Sequence, residues 1–228
     1  MGRRVRLGAA CWVLTAVFFA GQAVAQAAAR GPYSLTGSYI SDLGATRCGP
    51  FTAFCSPLHP VMNGVFIATG LLTLLGAIAT RPAWPPRRLA TLGLALLVLA
   101  GAGMAVVGLA PEDVDIRIHS VGAVLGIPGA STGILVLGVA LWRAGGGIGA
   151  LLALIAGIVG LTGFLLMETR AAGVAIGAAE RLPADPSYVW MIGTGVLLLE
   201  RERRRARPAP VSGRRQEGSV PETRLPPA

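Results

Sequence analysis

The sequence predicts an all-α integral membrane protein, a bundle of six transmembrane helices with the N and C termini in the cytoplasm. Of its 228 residues, 53% are hydrophobic and only 14% are charged, a balance too apolar for a water-soluble surface. The apolar residues form blocks of about 20 residues, the length that crosses a hydrocarbon core roughly 30 Å thick. The 32 glycines fit this class, since small residues let membrane helices approach closely.

Six apolar blocks predict the spans, at about 7–28, 60–80, 89–109, 119–142, 147–167 and 183–200. The first block follows three arginines and ends in Ala23-Val24-Ala25, so it also fits a signal peptide cleaved after residue 25. The sixth block is the least apolar, because only the segment from Ser187 to Leu199 is free of charged residues and proline. Retention of the first block and full crossing of the sixth both stay open at this stage.

The arginines predict the orientation, because basic loops remain in the cytoplasm. Six spans place most of the 20 arginines inside and leave five outside, which are Arg30, Arg47, Arg117, Arg170 and Arg181. Without a sixth crossing, all the arginines from Arg201 onward would face outward, so the charge pattern favours the crossing. The segment 201–228 is rich in arginine and proline and is predicted to be a disordered cytoplasmic tail.

The net charge of +9 does not indicate a nucleic-acid partner. The arginines lie at membrane borders rather than on a basic stripe interleaved with aromatic residues. We therefore expect no nucleic acid and expect membrane lipids as partners, with a homo-oligomer or a partner membrane protein left open. The expected location is the plasma membrane.

Polar groups able to do chemistry gather at the outer ends of the predicted spans. Those predicted at bilayer depth do not titrate, which disfavours proton-coupled transport. The candidate ligand-binding residues are Ser41, Asp42, His59, Asn63, Glu112, Asp113 and His119.

Three of these residues are also candidates for catalysis or metal binding. Asp42, His59 and His119 carry the carboxylate and imidazole groups that act as general bases in hydrolases and as ligands of divalent metals. The chain has no zinc-helix motif and no nucleophile elbow, so no cofactor is established. Three functions stay open: an outer polar pocket for a lipid headgroup or small ligand, a membrane-embedded hydrolase, and a structural or accessory subunit.

Two cysteines occupy the first outer loop. Cys48 and Cys55 have six residues between them, and an oxidising compartment would favour a disulfide. Two free thiols are the alternative.

Four short motifs resemble a known family. They are Ser41-Asp42-Leu43-Gly44, Cys55-Ser56-Pro57-Leu58-His59-Pro60-Val61-Met62-Asn63, Pro111-Glu112-Asp113 and His119-Ser120-Val121-Gly122-Ala123. With them the chain resembles, over about residues 10–200, the bacterial membrane proteins of the domain-of-unknown-function 998 family. The resemblance implies a six-helix membrane fold and no established activity. The matched positions coincide with the outer polar residues.

Overall fold

A computed structural model describes residues 2–48, 55–170 and 173–206. Its α-helices are α1 (Gly2–Leu14), α2 (Val17–Ala28), α3 (His59–Thr80), α4 (Arg88–Leu109), α5 (Ile116–Trp142), α6 (Ile148–Glu168) and α7 (Ile176–Ala206), with short 3₁₀ helices at Ser41–Gly44 and Arg81–Ala83. The described residues contain no β-strand, and an isolated antiparallel bridge joins Arg30 to Cys55. The all-α prediction is confirmed.

The helices form a ring in chain order. The α1–α2 segment packs against α3, each later helix packs against the next, and α7 returns to α1. Successive crossings alternate in direction, so the ring has two distinct ends. Among the described residues, the loop end carries 29–48, 55–58, 110–115, 169–170 and 173–175, and the arginine end carries the connections 81–87 and 143–147.

Within the described part of the chain, five segments are long and apolar enough to cross a membrane: Gly2–Ala28, His59–Ala83, Arg88–Leu109, Ile116–Trp142 and Ile148–Glu168. The helix of the sixth crossing, α7, is less apolar because Pro183, Asp185 and Pro186 occupy its N-terminal half. It nevertheless runs from the loop end, where Gly177 contacts Ser38, to the arginine end, where Gly195 contacts Ala9. Residues 201–206, predicted to be disordered, continue α7 to Ala206, and the predicted tail beyond them lies outside the described residues.

The first span is interrupted near its middle. Thr15 is fully buried, and its hydroxyl donates a 2.6 Å hydrogen bond to the Trp12 carbonyl. Bonds to the third residue back, such as Ala16 N–H to Val13 and Phe18 N–H to Thr15, replace the α-helical pattern there. The predicted single helix 7–28 is therefore two helices in one crossing, a break that hydrophobicity alone does not indicate.

Glycines set the closest helix contacts in the ring. A Cβ atom added to Gly101 of α4 would lie 2.5 Å from the Gly70 carbonyl oxygen of α3. On the other side of α4, a Cβ atom on Gly103 would lie 2.6 Å from the Gly122 carbonyl oxygen of α5. These approaches exclude any larger side chain, so α4 is held between its neighbours through backbone contact.

Three tryptophans occupy the interior near the arginine end. The Trp12 ring lies 6.0 Å from that of Trp84 and 5.7 Å from that of Trp190, and Trp84 and Trp190 lie 6.0 Å apart. The indole N–H of Trp84 donates to the Thr80 hydroxyl, and that of Trp12 donates to the Thr73 carbonyl. The α3–α4 connection thus folds inward and fills this end of the bundle.

Candidate functional site

The loop after α2 is fastened across the loop end of the bundle by α7. The carboxylate of Glu180 accepts the backbone N–H of Ile40, and the N–H of Gly177 donates to the Thr36 carbonyl at 2.8 Å. The Arg181 guanidinium donates to the Ser38 carbonyl at 3.2 Å and to the Tyr33 hydroxyl at 2.6 Å. Glu180 is only 7% exposed, so this attachment lies inside the protein.

The α4–α5 connection holds the next part of this loop through Asp113. Its carboxylate accepts the backbone N–H groups of Thr46 and Arg47 and the Thr46 hydroxyl, at 2.8–3.0 Å. Burial opposes ionisation of this carboxyl group, but the hydrogen bonds from Thr46 and Arg47 outweigh it and lower the pKa of Asp113. A disulfide between Cys48 and Cys55 closes the same region.

One residue of α3 and one residue just before it hold the 3₁₀ helix Ser41–Gly44 in place. The Ser56 hydroxyl donates to the Leu43 carbonyl at 2.6 Å, and the Asn63 side-chain amide donates to the Gly44 carbonyl at 2.9 Å. Both bonds satisfy carbonyl groups at the end of a short helix. Ser56 and Asn63 therefore position the loop.

Asp42 and Glu112 form a pair of carboxyl groups at the centre of the loop end. They are joined by a side-chain hydrogen bond, which requires one of them to carry a proton. Burial, together with the hydrogen bond and charge of Glu112, raises the pKa of Asp42 to about 7. The Tyr39 N–H, which donates to Asp42 at 2.8 Å, opposes this shift. With a pKa of about 7, Asp42 therefore retains a proton to a much higher pH than an ordinary aspartate does.

A cavity of about 250 Å³ lies beside this pair, between α5, α6, α7 and the loop. Its polar lining includes Glu112, Glu168 and Glu180, and none of the described residues that line it is an arginine or a lysine. Burial raises the pKa of Glu180, which precedes the predicted sixth crossing by one turn, to about 8. The remaining lining residues are Tyr39, Ser41, Ile116, His119, Ser120, Ala123, Val124, Ile127, Phe164 and Met167.

The cavity is open on its apolar side. Ile116 and Val124 line it and are 55% and 53% exposed. Both belong to a helix long and apolar enough to span a membrane, so these exposed faces lie where lipid would contact the bundle. The cavity is therefore amphipathic, with carboxyl groups at the loop end and hydrocarbon surface beside them.

His119 belongs to this cavity and is fixed by the backbone. Its Nδ1 atom lies 2.9 Å from the Ala110 carbonyl oxygen, so Nδ1 donates the hydrogen bond. The partner is a carbonyl group, whereas the hydrolase hypothesis expects the carboxylate of Asp42 to orient the imidazole. Asp42 instead pairs with Glu112.

The structure divides the sequence-predicted ligand residues into three groups. Ser41, Glu112 and His119 line the amphipathic cavity, and Asp42 lies behind it, bonded to Glu112. Asn63 and Asp113 hold the loop. His59 lines a different cavity, so the two histidines proposed as joint metal ligands are apart, and the described residues contain no group of three His, Cys, Asp or Glu side chains able to hold a metal ion.

The sequence did not indicate three carboxylates as site residues. Two of them line the cavity and one lies in the interior. Glu180 and Glu168 belong to the outer polar set, but no motif marks them as lining a cavity. Asp185 lies inside the predicted sixth span with its Oδ1 atom buried and without a hydrogen-bond partner. The interruption of the sixth apolar block at Asp185 was the sequence signal for this residue, since an ionisable group within a membrane span is costly and tends to be functional.

The ring of apolar helices and the polar loop end define a multi-pass α-helical membrane protein. The chain belongs to the family described as protein of unknown function (DUF998), whose model matches residues 13–197. Comparison with curated proteins and with solved structures found no match. The family assignment agrees with the resemblance carried by the four motifs, each of which supplies residues that fasten the loop or line the cavity.

Proposed function

We propose that the protein binds the headgroup of a cationic amphiphile, such as an amine-bearing lipid, in the amphipathic cavity at the extracytoplasmic face of the plasma membrane. The observation that carries the proposal is the combination of three carboxyl groups, no lining arginine or lysine, and an apolar side open towards lipid. An ammonium group satisfies buried carboxylates, and the attached hydrocarbon covers the exposed apolar lining.

The raised pKa values of two carboxyl groups make the proposed binding dependent on pH. Asp42 and Glu180 have pKa values raised to about 7 and about 8, so both retain protons near neutrality in the empty protein. A cation favours the ionised carboxylates, and its binding therefore releases protons. We expect affinity for the amphiphile to increase as the pH rises through this range.

Lipid retention tests this function. The purified wild-type protein would be transferred from a membrane containing phosphatidylethanolamine and phosphatidylglycerol into mild detergent, and the retained lipids would be identified by native mass spectrometry. We expect an amine-bearing lipid at one copy per chain in the wild type and its loss in a Glu112→Gln, Glu180→Gln double variant.

A matched control is Glu200→Gln, which changes a carboxylate near the opposite end of α7 and should retain the lipid. Glutamine at position 180 keeps an oxygen that accepts the Ile40 N–H, so the loop attachment survives while the charge is removed. Equal retention of the amine-bearing lipid by the double variant, or no retained amine-bearing lipid in the wild type, would refute the proposal.

A further inference from the structure

A second cavity at the loop end has the opposite electrostatic character. It has a volume of about 240 Å³ and lies between the start of α3 and the loop after α2. Arg30, Arg47 and His59 line it, and none of the described residues in its lining is acidic. The remaining lining residues are Ala45, Thr46, Cys48, Cys55, Ser56 and Pro57.

The two arginines of this cavity have no carboxylate partner in the described part of the chain. Across residues 2–48, 55–170 and 173–206, the only ion pair joins Arg205 to Glu202. The six residues between the cysteines, Gly-Pro-Phe-Thr-Ala-Phe, contain no charged side chain. Asp113, which accepts the Arg47 backbone N–H, also accepts the Thr46 N–H and the Thr46 hydroxyl, so its carboxylate is occupied by these bonds.

The backbone that carries these arginines is fixed from several sides. Arg30 and Cys55 exchange two backbone hydrogen bonds of 2.9 and 2.8 Å, and Asp113 accepts the Arg47 N–H at 2.9 Å. The disulfide joins Cys55 to Cys48, next to Arg47. The backbone positions of these two exposed arginines are thereby fixed around one cavity before any ligand arrives, which lowers the entropic cost of ordering the loop on binding.

We propose that this cavity is an anion site that binds a phosphate group through Arg30 and Arg47. Guanidinium groups form paired hydrogen bonds with phosphate oxygens, and the 22-residue helix α3, which begins at His59 on the rim, adds the positive end of its dipole. The phosphate belongs either to a lipid headgroup or to a soluble molecule. This site uses none of the residues that line the amphipathic cavity.

The test measures equilibrium binding to the full-length protein in maltoside detergent, with two probes. Inorganic phosphate represents a free phosphate group, and dihexanoyl phosphatidic acid, used below its micelle concentration, represents a lipid headgroup. We expect saturable binding of at least one probe, and a loss of affinity of about tenfold or more in the Arg30→Ala, Arg47→Ala double variant. Binding of phosphate itself indicates a soluble ligand, and binding of phosphatidic acid alone indicates a lipid.

Two further variants keep the test decisive. Arg117→Ala removes an exposed arginine at the same end that does not line the cavity, and it should bind as the wild type does. Arg30→Lys with Arg47→Lys retains both charges but not the paired geometry, so it should bind more weakly than the wild type and more tightly than the alanine pair. The proposal fails if neither probe binds, if the alanine pair binds like the wild type, or if Arg117→Ala loses as much affinity.

Discussion

The carboxyl groups of Asp42 and Glu112, which lie 70 positions apart in the sequence, share a hydrogen bond at the loop end of the bundle. One belongs to the 3₁₀ helix Ser41–Gly44 and the other to the α4–α5 connection. Since the bond requires a proton, the loop and the bundle are joined by a contact that depends on pH.

Replacing Asp42 by asparagine should flatten the pH dependence of stability. The pKa of Asp42 rises from 3.8 to about 7 on folding, so its contribution to stability is complete below the lower value and is lost as the pH rises through the upper one. Asparagine retains a donor for Glu112 without titrating. Thermal unfolding of the detergent-solubilised protein between about pH 5 and pH 8 measures this. A variant as sensitive to pH as the wild type would contradict the assignment.

Replacing Asp113 by alanine should loosen the loop. The change removes the acceptor of the Thr46 and Arg47 N–H groups and of the Thr46 hydroxyl, and hydrogen bonds to a charged group contribute about 1.5–3 kcal/mol. We expect a lower unfolding temperature and faster proteolysis within residues 45–58. Asp115→Ala, which removes only the N-terminal cap of α5, should leave that proteolysis unchanged. Equal protection of the loop in both variants would argue against the role of Asp113.

Enlarging Gly101 should disrupt the ring. A leucine there meets the Gly70 backbone of α3, whose carbonyl oxygen would lie 2.5 Å from the new Cβ atom. We expect Gly101→Leu to aggregate or to unfold at a lower temperature on size-exclusion analysis after heating. Gly64→Leu is the control, because a Cβ atom at Gly64 of α3 meets nothing within 4 Å. Similar behaviour of the two variants would contradict the packing.

Trp84 should contribute far more to stability than Trp142. Trp84 is 8% exposed and contacts Trp12 and Trp190, whereas Trp142 is 57% exposed at the same end of the bundle. Replacement of a buried tryptophan by alanine costs about 3–5 kcal/mol. Thermal unfolding of Trp84→Ala and Trp142→Ala compares them, and equal losses would place the Trp84 ring outside the core.

The fold was largely predictable because lipid imposes a simple length requirement on apolar segments. Five spans follow from that requirement, whereas the sixth was uncertain because Asp185 and two prolines interrupt its apolar block. The break at Thr15 depends on a side-chain hydrogen bond to the Trp12 carbonyl within the helix, which hydrophobicity does not encode. Element boundaries therefore differ most at the first and last crossings.

The candidate site was only partly predictable because its arrangement depends on the order of helices in the ring. His59 and His119 both begin a span at the loop end, but α4 lies between α3 and α5, and the two residues line separate cavities. Glu180 contacts Ile40 from 140 positions away, and no local motif marks such a pairing. The position of these residues in the sequence indicated that they lie at the loop end of the bundle. It did not indicate which side chains lie beside them there.

The central claim, that the amphipathic cavity binds a cationic amphiphile, is tested most directly by titrating a fluorescent decylammonium derivative into the protein in lipid nanodiscs. Val124→Trp should fill the cavity and abolish saturable binding, whereas Val121→Trp, on an exposed face of the same helix outside the cavity lining, should not. The account predicts that decylammonium binds the wild type and that Val124→Trp abolishes this binding, while any binding of decyl sulfate at the separate Arg30 and Arg47 cavity is unchanged by Val124→Trp. Absence of decylammonium binding to the wild type, or undiminished binding by Val124→Trp, would contradict it.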